Sequence, residues 1–316
     1  FSEGDEARLV ADLREALIDG GVEQVSTAEL KELAANMPAI GQALVALHRK
    51  GRQSQDRAEA LAARLGEEFS SDAPARMPFE QVRDYFYARR NHVAALDEAA
   101  ERLFAEAGLS PRQVRSGLAA RLRERHGVTL ATDEAEDAQR SFDPVSRTLH
   151  VTPFIKQGQQ AFQLAMQLAY LEAGSLIDGL IGAANLVDPE ARDLLRIGLA
   201  QYYAGAVLLP YGDFLRQAEA FAYDIDRLGR HFGVGFETVC HRLSTLQRPG
   251  AQGVPFFFVR VDRAGNISKR QSATDFHFSR VGGSCPLWNV YEAFSRPGEI
   301  TRQIAQMPDG RSYLWI

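Results

Sequence analysis

The sequence predicts an α+β fold that is mainly helical, with a helical segment over residues 1–70, a central helical domain with a small β element over 71–250, and a β-containing domain over 251–316. Three observations predict it. Apolar residues recur at helical spacing through the first 250 positions, as in Ile40, Leu44 and Leu47. The stretch QRSFDPVSRTLHVTPF, 139–154, alternates like a hairpin turning at Asp143–Pro144. After RPGAQG the texture changes: PFFFVRVDRAGNISKRQSA reads as two strands flanking a DRAGN turn, and MPDGRSYLWI reads as a closing strand.

Each element has a local cause. In STAEL, Ser26 stands as an N-cap with Glu29 three residues on, the pattern of a capping box. The run IGQALVALHRKGRQSQDRAEALAARL keeps the helical period through Leu61 and Leu65 but has a wholly polar middle. Two shapes fit it, a long exposed helix or a helix–turn–helix arm, and two roles, a dimerisation element or a linker lying on the body. FSSDAPARMP, 69–78, reads as a boundary. Pro78 suits a first helical turn, and one helix is expected from there to Gly108. Ser110–Pro111 then opens another, closed by Gly127 and crowded with Arg112, Arg115, Arg121, Arg123 and Arg125, a face balanced by the nearby acids of DEAED, 133–137. AFQLAMQLAYLEAG, 161–174, is a helix. Asp188 caps a further one, with Pro189 in its first turn and Pro210 at its end. YGDFLRQAEAFAYDI and then LGRHFGVGFETVCHRLSTL follow, the latter bent at Gly233 and Gly235.

Composition excludes several classes. With 316 residues, 45% hydrophobic and 24% charged, the chain has enough material for more than one core. A net charge of −5 argues against a chain that binds nucleic acid by itself, because phosphate contacts need Lys and Arg. Two cysteines, Cys240 and Cys285, provide neither a disulfide framework nor a four-cysteine metal site, and fit a reducing cytoplasm. No apolar run reaches the length of a membrane span, and no signal peptide is legible. The chain opens on Phe1 and closes on YLWI, so both ends read as cut from something longer.

The 161–174 helix has the rhythm of a zinc-peptidase helix. Such a helix carries two imidazoles four residues apart on one face, with a carboxylate beside the first as general base. Here Met166 and Tyr170 hold the histidine positions and Gln167 holds the base position. A thioether does not replace an imidazole on zinc, an amide takes no proton from water, and a neutral phenol is a poor ligand. The downstream stretch LAQYYAGAVLLP is similar to the ImmA/IrrE-type peptidases, and Leu199 falls where their third ligand, a glutamate, would stand. All three ligand positions and the base are thus lost together. No catalytic residues and no metal ligands are expected, and the histidines at 48, 92, 126, 150, 231, 241 and 277 include no close pair at helical metal spacing.

The order of features resembles the body of actinobacterial XRE-family regulators of short-chain fatty-acid metabolism, the PrpR- and RamB-like group for propionate and acetate. The stretches that carry it are NMPAIGQALVALHRK, MPFEQVRDYFYARRNHVAALDEAAE, FQLAMQLAYLEAG, LAQYYAGAVLLPYGDFLRQAEAFAYDIDRLGRHFGV and ISKRQSATDFHFSRVGGSCPLWNVYEAF, covering most of the chain. The resemblance implies a degenerate ImmA/IrrE-like sensing domain, a helix-turn-helix DNA-binding domain N-terminal to this chain, and a homodimer. It implies acyl-CoA as effector. It also implies a cysteine-rich tail able to hold an iron–sulfur cluster, which this chain stops short of. Cys285, in SCPLWN, is expected to be a small buried residue.

On that reading the vacated peptidase groove, made apolar by Met166, Leu199 and Tyr170, takes the acyl chain and thioester. Arg89, Arg90 and Arg230 are the candidates for the CoA phosphates. The function expected is the effector-sensing part of a cytoplasmic transcriptional regulator. The alternative is a peptide- or protein-binding module on an inactive peptidase fold, which would need no phosphate-binding arginine.

Overall fold

The computed structural model describes residues 3–19, 25–65, 77–132, 139–262, 267–273, 288–306 and 312–316. The chain divides into two compact units. The first comprises residues 1–74 with 279–282, and the second 75–278 with 283–316. Cys285, the DEAED acids, most of the 69–78 boundary and the DRAGN turn apart from Asp262 lie outside the described residues.

The first unit holds three helices, α1 (Glu3–Asp19), α2 (Thr27–Asn36) and α3 (Pro38–Leu65). The Ser26 capping box is formed: Glu29 N donates to Ser26 Oγ at 3.3 Å and Ser26 N donates to Glu29 Oε2 at 2.7 Å. A small core of Leu9, Leu13, Leu30, Ala34 and Val45 joins the three helices. Gly41 sits where a Cβ would stand 3.2 Å from both Leu9 and Leu13, so α3 can pack closely on α1. Of the two shapes the sequence allowed for α3, the structure has one unbroken 28-residue helix, about 42 Å long at the α-helical rise. Met37, at its N-cap, and Ile40, Leu44 and Leu47 are exposed, at alternating spacings of three and four that put them on one face.

The second unit opens with α4 (Pro78–Ala88), α5 (Ala94–Glu106) and α6 (Val114–His126). The single helix expected from Pro78 to Gly108 is broken. Arg90 and Asn91 have φ of 48° and 59°, the left-handed region, and two such residues in succession cannot continue a right-handed helix. The expected Ser110 cap is also displaced: residues 111–113 form a turn, Gln113 N donates to Ser110 O, and α6 begins at Val114. Gly127 closes α6 at φ 61° as expected.

A three-stranded sheet follows, β1 (Thr129–Ala131), β2 (Arg140–Asp143) and β3 (Thr148–Val151), in the order β1-β3-β2. The β2–β3 hairpin pairs Asp143 with Thr148, as the Asp143–Pro144 turn predicts, and β1 adds a parallel edge that the sequence did not reveal. Next come α7 (Gln157–Glu172), α8 (Gly174–Ala183) and α9 (Pro189–Leu208). Asp188 caps α9 by accepting from Glu190 N at 2.9 Å. α9 is the axis of the unit, in contact with α4, α5, α7 and α8 through a face that includes Leu195, Leu199, Tyr203 and Val207, all essentially solvent-free.

α10 (Tyr211–Ala220) ends earlier than its pattern implies, because Ala222 and Tyr223 are left-handed and Asp224 starts a new cap on Arg227 N. α11 (Ile225–Phe232) and α12 (Phe236–Leu243) form the expected helix–turn–helix, with Gly233 at φ 69°. A Cβ on Gly158, at the start of α7, would stand 2.5 Å from the carbonyl oxygen of Gly233, so only glycine lets α7 approach this turn. The remainder is β4 (Gln247–Arg248), β5 (Ala251–Gln252), β6 (Phe257–Val261), β7 (Ile267–Ser272), α13 (Trp288–Ser295), β8 (Gln303–Gln306) and β9 (Ser312–Trp315), with β4–β5, β6–β7 and β8–β9 each an antiparallel pair.

Candidate functional site

Two places in the second unit bear on function. The first is the α7–α9 contact, where the peptidase-like positions lie. Met166 is 7% exposed and Leu199 is fully buried, both in the main core, and Tyr170 packs partly buried against it. Gln167 is buried, and its amide oxygen accepts from Arg140 Nη1 on β2 at 2.6 Å. The same guanidinium lies 5.4 Å from the centre of the Tyr170 ring. Among the described residues no carboxylate forms an ion pair with Arg140. Burial pushes its pKa below the ordinary guanidinium value, and Tyr170 acts in the opposite sense. A fixed cation thus stands beside the positions where a peptidase of this kind holds its metal, and electrostatics there opposes a second cation. Among the described residues no three His, Cys, Asp or Glu side chains converge as a metal set would.

The end of α7 is tied down separately. Glu172 receives two hydrogen bonds from Arg121, at 2.8 and 2.7 Å, and lies 2.7 Å from His126 Nε2. Burial alone would raise the Glu172 pKa, but Arg121 and His126 outweigh it and hold the carboxyl below the usual range. The expected balancing acids of α6, 133–137, lie outside the described residues; the partners seen on its arginine-rich face are Glu106, Glu124 and Glu172.

The second place is a cavity of about 970 Å³, within the size range of small-molecule sites. Its wall comes largely from the C-terminal strands. Phe256, Phe257, Phe258, Tyr313 and Trp315 provide an aromatic side, with the Phe257 and Trp315 rings 4.4 Å apart. Cys240 and Leu243 of α12 and Ile225 of α11 supply the helical side. Among the described residues, Arg90 and Glu299 supply charged side chains to its lining. Burial pushes the Cys240 thiol up to about 12, so it stays protonated and unreactive at neutral pH.

The structure therefore does not bring the sequence-picked residues into one site. Arg90 lines the cavity. Met166, Leu199 and Tyr170 lie on α7 and α9 and do not. Arg89 is turned onto its own helix, with its guanidinium carbon 3.7 Å from the Tyr85 ring centre and Nη1 bonded to Tyr85 O at 3.0 Å. Arg230 is exposed in the last turn of α11. The aromatic wall was missed: PFFF and SYLW were legible as strands, but which faces meet is set by long-range packing.

Beneath the Arg90 turn lies a buried polar cluster that sequence reasoning also missed. Asp97 on α5 and Arg242 on α12 are 0% and 3% exposed, with Asp97 Oδ1 2.7 Å from Arg242 Nη2. Tyr202 on α9 donates to Asp97 Oδ2 at 2.8 Å, and His92 Nε2 lies 3.3 Å from the same oxygen. Burial opposes ionisation of Asp97, but Arg242, His92 and Tyr202 together hold its carboxyl below the ordinary value. Burial and the nearby Asp97 charge push the Tyr202 phenol well above its usual range.

An iron–sulfur cluster does not fit this chain's own residues. Cys240 is a cavity-wall residue on a helix, and one further cysteine cannot complete a four-thiolate set.

Comparison with known proteins assigns two consecutive segments of the chain, from residue 123 onward. Residues 123–244 match the IrrE N-terminal-like domain family, and residues 245–316 match the family described as short-chain fatty acyl coenzyme A regulator, C-terminal. The HTH-type transcriptional regulator PrpR of Mycobacterium tuberculosis is 52% identical over 319 residues, covering 100% of this chain and 66% of the relative. RamB of the same species is 48% identical over 323 residues, covering 100% of this chain and 67% of the relative. A propionyl-CoA carboxylase regulator of Cereibacter sphaeroides is 44% identical over 310 residues, covering 98% of this chain and 66% of the relative. A solved Mycobacterium tuberculosis transcriptional regulator superposes with a TM-score of 0.73 at 55% identity, covering 76% of this chain and 74% of the other. The chain thus spans about two thirds of the length of these curated relatives. They are named as regulators and not as enzymes, in keeping with the reading of the peptidase-like positions as non-catalytic. The chain belongs to the family of HTH-type transcriptional regulators that includes PrpR and RamB.

Proposed function

We propose that this chain is the effector-sensing portion of a cytoplasmic transcriptional regulator of propionate and short-chain fatty-acid metabolism. Its effector is a short-chain acyl-CoA, bound in the 970 Å³ cavity. The observation that carries this reading is a coincidence of position. The segment matched to a short-chain fatty acyl coenzyme A regulator, 245–316, supplies most of the lining of that cavity. The aromatic wall suits the acyl chain, and Arg90 suits a phosphate of the CoA. The site thus moves from the former peptidase groove of the sequence reading to the joint between the helical body and the C-terminal strands. Arg230 is a second candidate for the phosphates, because α11 also contributes Ile225 to the wall. Tyr170, Met166 and Leu199 belong to the competing placement between α7 and α9, and Arg89 is committed to Tyr85.

The DNA contact is assigned to a helix-turn-helix domain outside this chain, since a net charge of −5 is unsuited to phosphate binding. A homodimer through the exposed Met37, Ile40, Leu44 and Leu47 face fits a regulator that reads paired half-sites. Residues 1–70 then serve as dimerisation segment, 71–250 as helical sensing domain and 251–316 as the domain that closes the ligand site.

Calorimetric titration of the chain with propionyl-CoA, beside free CoA and a short apolar peptide, tests the reading. Saturable propionyl-CoA binding that weakens in Arg90→Gln is expected. Binding of the peptide with no response to propionyl-CoA would replace it with the interaction-module reading.

A further inference from the structure

The acyl-CoA reading makes Arg90 the phosphate contact, and this inference rests on that reading. Arg90 reaches the cavity from an unfavourable backbone. It and Asn91 are two consecutive left-handed residues, and neither is glycine. Such a conformation persists where its surroundings over-determine it. Here the surroundings are unusually specific. Asn91 N donates to Phe86 O at 2.8 Å and its buried side-chain amide donates to Ser244 O at 3.4 Å. Val93 N donates to the Tyr202 hydroxyl at 3.1 Å, and His92 lies 3.3 Å from Asp97.

The contacts of Val93 and His92 converge on one carboxylate, that of Asp97. The Tyr202 hydroxyl accepts from Val93 and donates to Asp97 Oδ2, so it is the bridge between the turn and the charge. The other oxygen of Asp97 meets Arg242, whose Nε donates to Leu209 O at 2.9 Å and whose Nη1 donates to Thr245 Oγ1 at 3.1 Å. Arg242 lies next to Leu243, and Leu243 and Gln247 line the cavity as Arg90 does. One buried cluster therefore fixes the turn that carries the cation and the α12 end that forms part of the wall. An apolar cluster of like volume would hold these helices together as well, since buried ion pairs are weak contributors to stability. It would not give the Val93 N–H the acceptor that the Tyr202 hydroxyl provides.

We propose that Tyr202, Asp97 and Arg242 are positioning residues for the effector: they hold the Arg90–Val93 turn so that the Arg90 guanidinium meets the phosphate end of a CoA thioester in the cavity.

The test compares two ligands on the whole chain. Propionyl-CoA carries the phosphates; propionyl-pantetheine carries the same thioester without them. Tyr202→Phe keeps the ring and removes the bridging hydroxyl. It should weaken propionyl-CoA about tenfold, equivalent to about 1.4 kcal/mol, and leave propionyl-pantetheine within about twofold. Arg90→Gln should show the same split, and the double variant should lose no more than Arg90→Gln alone, because the hydroxyl acts through Arg90. A purely structural hydroxyl would weaken both ligands alike, and that result overturns the proposal, as does a Tyr202→Phe chain that binds propionyl-CoA like the parent. A parent chain that binds neither ligand overturns the acyl-CoA reading itself, and the positioning role with it. Amide exchange on the parent chain stands independent of how the variants fold: the Asn91 and Val93 amides should exchange far more slowly than open-loop amides, and loop-like exchange at both would contradict a held turn.

Discussion

The α7–α9 contact and the cavity beneath the C-terminal strands lie in the same unit and differ in what fills them. At α7–α9, Met166 and Leu199 are packed into the core and the Arg140 guanidinium stands beside Gln167 and Tyr170. At the cavity, an aromatic wall faces open space, with Arg90 at its lining. The first place has the helix spacing of a zinc-peptidase site, with Met166, Gln167, Tyr170 and Leu199 at the ligand and base positions. The second has no counterpart in the peptidase-like rhythm and arises where residues 245–316 meet the helical body. The peptidase-like helix spacing and the open aromatic cavity are therefore two separate features of one unit.

The largest expected effect concerns the frame under the cavity. Arg242→Met leaves the Asp97 carboxylate buried without its ion-pair partner and should cost about 3–5 kcal/mol, read as a large fall in thermal midpoint. A midpoint unchanged from the parent would show that Asp97 is not charged in the fold. Leu199→Ala should cost about 2–5 kcal/mol by opening a hole in the α7–α9 packing, yet leave propionyl-CoA affinity unchanged in the chains that remain folded. A loss of affinity would mean that the α7–α9 contact is the ligand site.

A sharper comparison sets Arg90→Gln against Tyr170→Ala. Calorimetry should show the first weakening propionyl-CoA about tenfold and the second changing it by less than about threefold. The reverse order would return the ligand to the former peptidase groove. The triple change Met166→His, Gln167→Glu and Tyr170→His should take up no stoichiometric zinc by equilibrium dialysis, because Leu199 still lacks a donor atom and Arg140 remains beside the site.

The smallest effect is a pH dependence. Glu172 has a folded pKa below its unfolded value, so its stabilisation is present above the unfolded pKa of about 4.3 and is lost as pH falls through the folded one. Below about pH 4.5, Glu172→Gln should therefore flatten the fall of thermal midpoint with pH, since the ordinary glutamate pKa is about 4.3. A slope identical to the parent's would show that Arg121 and His126 do not depress it.

Much of this was legible in the sequence, for local reasons. The caps at Ser26 and Asp188, the Gly127 and Gly233 stops and the Asp143–Pro144 hairpin depend on residues within a few positions of one another. The losses at Met166, Gln167, Tyr170 and Leu199 were legible because the motif fixes their spacing along two helices. The break at Arg90–Asn91 was not, since RRNH contains no glycine or proline and the turn is held from afar, by Ser244 and Tyr202. For the same reason nothing local marks Asp97: its partner Arg242 lies 145 positions away. The aromatic wall joins Phe256–Phe258 to Tyr313 and Trp315 across more than fifty residues, and no period in the sequence marks which face each strand turns inward.

Amide hydrogen exchange with and without propionyl-CoA tests the central claim most directly, because it locates the ligand without a substitution. The account predicts slowed exchange in Phe256–Val261, in Tyr313–Trp315 and in the Arg90–Val93 turn, with α7 unchanged around Tyr170. Slowing confined to α7 and the neighbouring face of α9 would contradict it and place the effector in the old peptidase groove.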